Sequence, residues 1–134
     1  MKDNIEMIAA TAMLISVAKA DKKFKESELK SIVEIISDFF QINSEVEINE
    51  LINIANQKLN NATDIFEFGK ILNEKWSYQD KIDFVCCMFE IGLSDGDLYY
   101  LEEYMIKKIS NILNVNHNDL IKSKIEMKKI FNQN

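Results

Sequence analysis

The chain has 134 residues, the length of one domain around a single hydrophobic core. Its hydrophobic fraction of 47% is that of a globular protein, which argues against disorder, and its net charge of −6 makes nucleic acid a poor partner because phosphate backbones would be repelled. Proline is absent and glycine occurs only three times, so helix breakers are scarce and we predict an all-α fold.

The first predicted helix runs from about residue 2 to residue 20 and is apolar on nearly all sides, which is typical of a helix buried at the centre of a bundle. Its uncharged run 7–17, followed by Ala18-Lys19-Ala20, resembles a signal peptide. However, Asp3 and Glu6 give the preceding region the wrong charge for a signal peptide. The run is also too short to span a bilayer, so we predict a core helix and no transmembrane segment.

The second and third helices have clearer start signals. After a short loop, residues 26–40 carry apolar side chains at spacings of three and four, which predicts an amphipathic helix. Ser44 is a good N-cap, and Glu47 three residues later completes the capping-box pattern of a third helix, which ends near residue 59.

The fourth and fifth helices follow a break at Asn60-Asn61. Thr63 is the predicted N-cap of helix four, which ends near Trp76. Ser77, with Asp80 three residues later, begins helix five, and this helix is again apolar on most faces.

A loop over residues 92–97 separates helix five from helix six, which we predict over about 99–113. Asn116, with Asp119 three residues later, begins helix seven. The sequence therefore predicts a single-domain bundle of about seven helices spanning residues 1–134.

An internal repeat relates the two halves of the chain. Segment 18–24 aligns with segment 92–98, and Glu28 then aligns with Glu102. Each copy has a buried helix, a short loop with an aspartate, and an amphipathic helix with a glutamate in its first turn. Such a duplication predicts two helical hairpins around a pseudo-two-fold axis, with helices one and five at the centre. Each hairpin has an acidic corner, formed by Asp21 and Glu28 in the first copy and by Asp95 and Glu102 in the second. The same symmetry predicts that the two acidic corners lie close together.

The repeated pattern resembles the tellurite-resistance TerB-like family. The matching residues are Leu93-Ser94-Asp95-Gly96-Asp97-Leu98 through Glu102, and Ala18-Lys19-Ala20-Asp21-Lys22-Lys23-Phe24 through Glu28. The first copy departs from the pattern because Lys22 replaces the usual glycine and Lys23 adds positive charge. Since that family is a single seven-helix domain, the resemblance covers nearly the whole chain. It implies a cytoplasmic module linked to tellurite or stress response.

The resemblance also implies a divalent-cation site. Carried over by position, its metal ligands are Asp21, Glu28, Asp95 and Glu102. Calcium or magnesium is the expected ion because hard cations prefer several oxygen ligands. The alternative is that the aspartates cap the following helices and the glutamates favour the positive helix end. Lys22 and Lys23 favour this alternative for the first copy, because they can neutralise its acids without an ion.

Other metal sites fit the sequence poorly. An EF-hand starting at Asp95 fails because its sixth position is Tyr100 instead of glycine and its twelfth is Ile106 instead of glutamate. A zinc site lacks support because Cys86 and Cys87 are adjacent and the chain has a single histidine. Two free thiols suit a reducing compartment, which also favours the cytoplasm.

Three functional hypotheses follow. The first is the metal-responsive TerB-like module. The second is a metal-free adaptor or homodimer that binds a protein partner, for which Trp76 and three tyrosines (Tyr99, Tyr100 and Tyr104) offer an aromatic surface if they do not belong to the core. The third is an enzyme, which we disfavour because no nucleophile elbow, phosphate loop or dinucleotide fingerprint occurs.

Overall fold

A computed structural model describes residues 4–20, 25–61, 64–94 and 96–132. Within these ranges the chain forms seven α-helices and no strand, so the predicted all-α fold is confirmed. The helices are α1 (Asn4–Ala18), α2 (Glu26–Phe40), α3 (Glu45–Asn60), α4 (Ile65–Lys75), α5 (Tyr78–Gly92), α6 (Tyr100–Ile112) and α7 (His117–Asn132).

Side-chain caps fix most of the helix starts that the sequence predicts. The backbone N–H of Glu47 donates to Ser44 Oγ at 3.2 Å. Ser77 and Asp80 form a reciprocal capping box at the start of α5. The predicted cap of α4 was displaced by one residue: Asp64 is the N-cap, and its Oδ1 accepts from the N–H of Phe66 at 3.0 Å.

Helix α1 lies at the centre of the bundle. Ten of its fifteen residues are buried, and it contacts α2, α3, α4, α5 and α6. Several of these residues are alanines, whose small side chains allow neighbouring helices to approach closely on more than one side. The apolar character of α1 on all faces therefore reflects contacts on all faces, as the sequence predicts.

The packing repeats about a pseudo-two-fold axis, which confirms the predicted repeat. The two central helices α1 and α5 contact each other, and each packs on the second helix of the other half, α1 on α6 and α5 on α2. Within each half, α1 contacts α2 and α3 as α5 contacts α6 and α7. Helix α4 has no counterpart in the repeat and connects the halves.

A cluster of aromatic side chains closes the end of the bundle where α4 meets α5. The Trp76 ring lies 5.2 Å from the Phe39 ring and 4.9 Å from the Phe84 ring between centroids. Its Nε1–H donates to Glu6 Oε2 at 2.6 Å, which ties the end of α4 to the first turn of α1. Trp76 is thus a core residue and takes no part in a surface with the tyrosines.

Several large apolar side chains lie at the surface of the bundle. Ile5 is 58% exposed and Tyr104 is 64% exposed, and Leu29 and Leu101 are also exposed. Helix α6 packs on the central helices through Ile106 and other residues of a narrower stripe. Periodicity in the sequence does not give the width of a buried stripe, because it does not record how many neighbours cover each helix.

Candidate functional site

The candidate site lies where α2 and α6 begin. Glu28 and Glu102 occupy the first turn of these helices, at the same position of the two repeat copies, and each is only 1% exposed. Glutamate is rarely buried to this degree in proteins unless its carboxylate has partners. Two buried glutamates at equivalent positions therefore distinguish this region from an ordinary solvated helix start.

The two helix starts are close together in space. Lys25 is the N-cap residue of α2 and Tyr99 is the N-cap residue of α6. The Lys25 Nζ lies 4.8 Å from the centroid of the Tyr99 ring, a cation–π contact. Because these residues are equivalent in the repeat, their contact places them beside the pseudo-two-fold axis. The predicted proximity of the two corners is thus observed at the N-cap residues.

Part of the carboxylate of Glu28 has a structural role. The backbone N–H of Lys25 donates to Glu28 Oε1 at 3.0 Å, which is one half of a capping box. This bond is the helix-start role that we considered as an alternative to metal binding. It occupies one oxygen of the carboxylate.

Of the four predicted metal ligands, the structure describes the two glutamates. Asp21 and Asp95, together with Lys22 and Lys23, lie outside the described residues. Among the residues that the structure does describe, no group of three or more His, Cys, Asp and Glu side chains could hold a metal ion. The four-carboxylate site therefore stays a prediction.

Two glycines shape the second corner. A Cβ at Gly92 would lie 2.5 Å from Leu98 Cδ1, so the absence of a side chain lets the segment after α5 fold back onto the helix end. Gly96 has φ +106°, a conformation that is strained for residues with a side chain. The glycine in the Asp-Gly motif is thus explained by backbone conformation.

The tyrosines of α6 lie at the surface. Tyr100 is 78% exposed and Tyr104, one helical turn later, is 64% exposed. The sequence offered core packing as the alternative for these rings, and their exposure contradicts it. They form an aromatic strip on an exposed side of α6, beginning at the candidate site.

The two cysteines are half-buried and neither forms a disulfide. Burial, reinforced by nearby negative charges, raises the pKa of the Cys87 thiol to about 12. Burial is also the main cause that raises the pKa of Cys86. Both thiols are therefore poor nucleophiles at neutral pH, which fits a packing role.

Sequence reasoning missed Lys25 as part of this region. The residue looked like the end of a loop, whereas its ammonium group bridges the two helix starts. The available signal was the repeat itself, because Lys25 and Tyr99 occupy the same position and residues near a two-fold axis contact their counterparts.

Concerning membranes, none of the described helices combines the length and the apolar character that a bilayer span requires.

Comparisons with known proteins agree with this fold. The family model described as "Tellurite resistance protein TerB" matches residues 7–125. A crystal structure of a protein of unknown function from Porphyromonas gingivalis W83 is similar, with a TM-score of 0.70 and 18% sequence identity over 96% of this chain and 98% of that chain. At this identity the likeness concerns the fold alone. No curated protein is significantly similar in sequence.

Proposed function

Since the chain belongs to the tellurite resistance protein TerB family, we propose that it is a binding module in which a divalent cation controls the paired starts of α2 and α6. The proposed ligands are Asp21, Glu28, Asp95 and Glu102, and the proposed ion is calcium or magnesium. The module works in the cytoplasm, where its free thiols stay reduced, in a stress response that includes tellurite. It binds and carries out no catalytic step.

The observation that carries this proposal is the burial of Glu28 and Glu102 at equivalent positions. Burying a carboxylate costs free energy, and placing two of them at neighbouring helix starts adds charge repulsion. A cation that contacts both corners lowers both costs. Calcium and magnesium suit such a site because they take oxygen ligands from loops and helix starts.

Thermal unfolding tests the cation. We expect millimolar calcium or magnesium, added after chelator treatment, to raise the melting temperature. At a concentration of about 100 times Kd, binding to the folded state stabilises it by about 2.7 kcal/mol. The double variant Glu28→Gln/Glu102→Gln keeps the shape of both side chains and should abolish the rise.

A matched control separates ligands from general charge effects. Glu26 and Asp97 are exposed acids in the same two corners. The variant Glu26→Gln/Asp97→Asn removes the same number of charges and should keep most of the rise. If neither ion shifts the melting temperature, or if the control loses the rise as completely, the cation part of the proposal is wrong.

A metal-free adaptor is the second candidate, and the exposed aromatic strip favours it. Tyr100 and Tyr104 present two rings on one face of α6, and tyrosine is enriched in protein interfaces. Sedimentation equilibrium in chelator discriminates the two candidates. A dimer that Tyr100→Ser/Tyr104→Ser dissociates supports an adaptor or homodimer, whereas a monomer at all concentrations removes the homodimer.

A further inference from the structure

Charge is distributed unevenly over the bundle. Helices α2 and α3 together carry seven acidic and two basic side chains. Helix α7 carries four lysines and only two acidic side chains, although the net charge of the whole chain is −6. The molecule therefore has an acidic side at α2 and α3 and a basic helix at α7.

The acidic side and the basic helix lie apart. Helix α7 packs mainly on α5, whereas α3 packs mainly on α1. The pseudo-two-fold axis relates these two contacts, so α3 and α7 lie on opposite sides of that axis. A chain therefore does not neutralise its own acidic side with its own α7, and the two charged surfaces remain accessible to other molecules.

A groove of about 500 Å³ lies along α2, beside the first residue of α3. Its apolar part is formed by Leu29, which is 38% exposed, and by the half-buried Val33. Its charged part consists of two exposed carboxylates, Glu26 and Glu45, and one exposed ammonium group, Lys30. The α2 groove thus combines apolar surface with a rim on which negative charge exceeds positive charge.

Helix α7 presents a ridge with the opposite charge pattern. Ile125 at its centre is 49% exposed. Lys122 lies three residues before it and Lys129 four residues after it, a spacing that places all three side chains on one face of the helix. The exposed Glu126 completes this α7 ridge. The salt bridges recorded between described residues use other lysines, which leaves Lys122 and Lys129 available for a partner.

The ridge and the groove are complementary in polarity and in charge. The ridge has two ammonium groups and one carboxylate around an apolar side chain, and the groove has two carboxylates and one ammonium group around apolar side chains. Contact between them removes apolar surface from water and brings opposite charges together. A negatively charged membrane is a poorer partner for the ridge, because the net charge of −6 opposes its approach.

We propose that the α7 ridge of one copy docks in the α2 groove of a second copy of this chain. Ile125 contacts Leu29 and Val33, and the two ridge lysines pair with the two rim carboxylates. Because the contact joins two different surfaces, each added copy leaves one ridge and one groove open, and the assembly can extend into a chain of copies. This contact is separate from the aromatic strip and does not depend on the proposed cation site.

Sedimentation equilibrium of the full chain in chelator tests the proposal. At low salt we expect the average mass to rise with concentration beyond that of a dimer, with a Kd on the order of 0.1 mM, as for a small transient interface. Salt at about 0.5 M should weaken the association by roughly threefold or more, because the rim charges are exposed and are screened.

Two variants break the contact from opposite sides. Lys122→Gln/Lys129→Gln removes the ridge ammonium groups, and Glu26→Gln/Glu45→Gln removes the rim carboxylates. Each should weaken self-association about tenfold, because two exposed charge pairs are lost. Helix content measured by circular dichroism should stay unchanged, because all four side chains are exposed.

A mixture of the two variants distinguishes this contact from a symmetric one. The ridge variant keeps an intact groove and the groove variant keeps an intact ridge. The mixture should therefore form a 1:1 dimer with the Kd of the wild-type contact and should grow no further. In a symmetric dimer every interface of the mixture would carry at least one defect of each kind, so mixing would restore nothing.

Matched controls test for general effects of charge and for the aromatic strip. Lys58→Gln/Lys70→Gln removes two exposed lysines from α3 and α4 and should keep the Kd within about twofold. Tyr100→Ser/Tyr104→Ser should also leave the association intact.

Three outcomes would overturn the proposal. The first is a wild-type chain that stays monomeric at about 1 mM, ten times the expected Kd. The second is a mixture that forms no dimer, or a control variant that weakens the association as much as the ridge variant does. The third is a monomer that binds phosphatidylglycerol vesicles through Lys122 and Lys129, because the ridge would then serve a membrane.

Discussion

Helix α4 packs closely on α6 at Gly69, and this contact allows a quantitative prediction. A Cβ at position 69 would lie 2.2 Å from Ile112 Cγ2 and 3.6 Å from Ile112 Cβ. Carbon atoms in contact normally stay about 3.5–4.0 Å apart, so the overlap is roughly 1.5 Å. Isoleucine in a helix has one strongly preferred χ1 rotamer, so Cγ2 cannot move away without leaving that rotamer or shifting α6.

We therefore expect Gly69→Ala to destabilise the protein. Overpacking of this kind costs about 1–3 kcal/mol, and the severe overlap puts the cost near the upper end. The gain in helix propensity from glycine to alanine offsets about 1 kcal/mol of it. The net loss is about 1–2 kcal/mol, which lowers the melting temperature by about 3–8 °C for a chain of this length.

Urea unfolding of a double-mutant cycle tests the cause of this loss. Ile112→Ala removes the clashing Cγ2, so Gly69→Ala should stabilise that background by its propensity gain of about 1 kcal/mol, and the coupling free energy should be about 2–3 kcal/mol. If Gly69→Ala stabilises the protein by its propensity gain, the close approach of α4 to α6 is not a constraint and the reasoning fails.

Two further predictions concern titratable groups. Burial, and secondly the nearby charges of Glu34 and Asp38, raises the pKa of Glu90. The charged form of Glu90 therefore destabilises the fold at neutral pH. We expect Glu90→Gln to raise the free energy of unfolding at pH 7 by at most about 1 kcal/mol, because solvent screens this half-buried group. That gain, measured by urea unfolding, should vanish as the pH falls and Glu90 is protonated. With a pKa of about 12, Cys87 has roughly one thiolate in 10⁴ at pH 8, so a thiol reagent should modify it slowly until denaturant unfolds the chain. Rapid labelling of folded Cys86→Ser protein, in which Cys87 is the remaining thiol, would contradict the buried environment of Cys87.

Much of the fold could be predicted because local signals agree with tertiary packing. The reciprocal box of Ser77 and Asp80 fixes the start of α5, and the repeat identifies the central helices before any contact is known. The sequence predicts the start of α4 one residue too early, because Thr63 and Asp64 are both good N-cap residues and nothing local chooses between them. Periodicity gives the apolar face of a helix but does not predict the exposure of Ile5, because burial depends on which neighbouring helices pack there.

The candidate site was predictable only in part. The repeat pairs Glu28 with Glu102, but their burial depends on how the helix starts pack and could not be inferred from spacing.

The contact between Lys25 and Tyr99 has a consequence for symmetry itself. In an assembly of two identical chains, a residue beside the dyad meets its own copy, so a lysine there would face a lysine. Covalent linkage of the halves removes this restriction, and an ammonium group can then face an aromatic ring. A single polypeptide can therefore specialise its two corners independently, whereas a homodimer must change both at once.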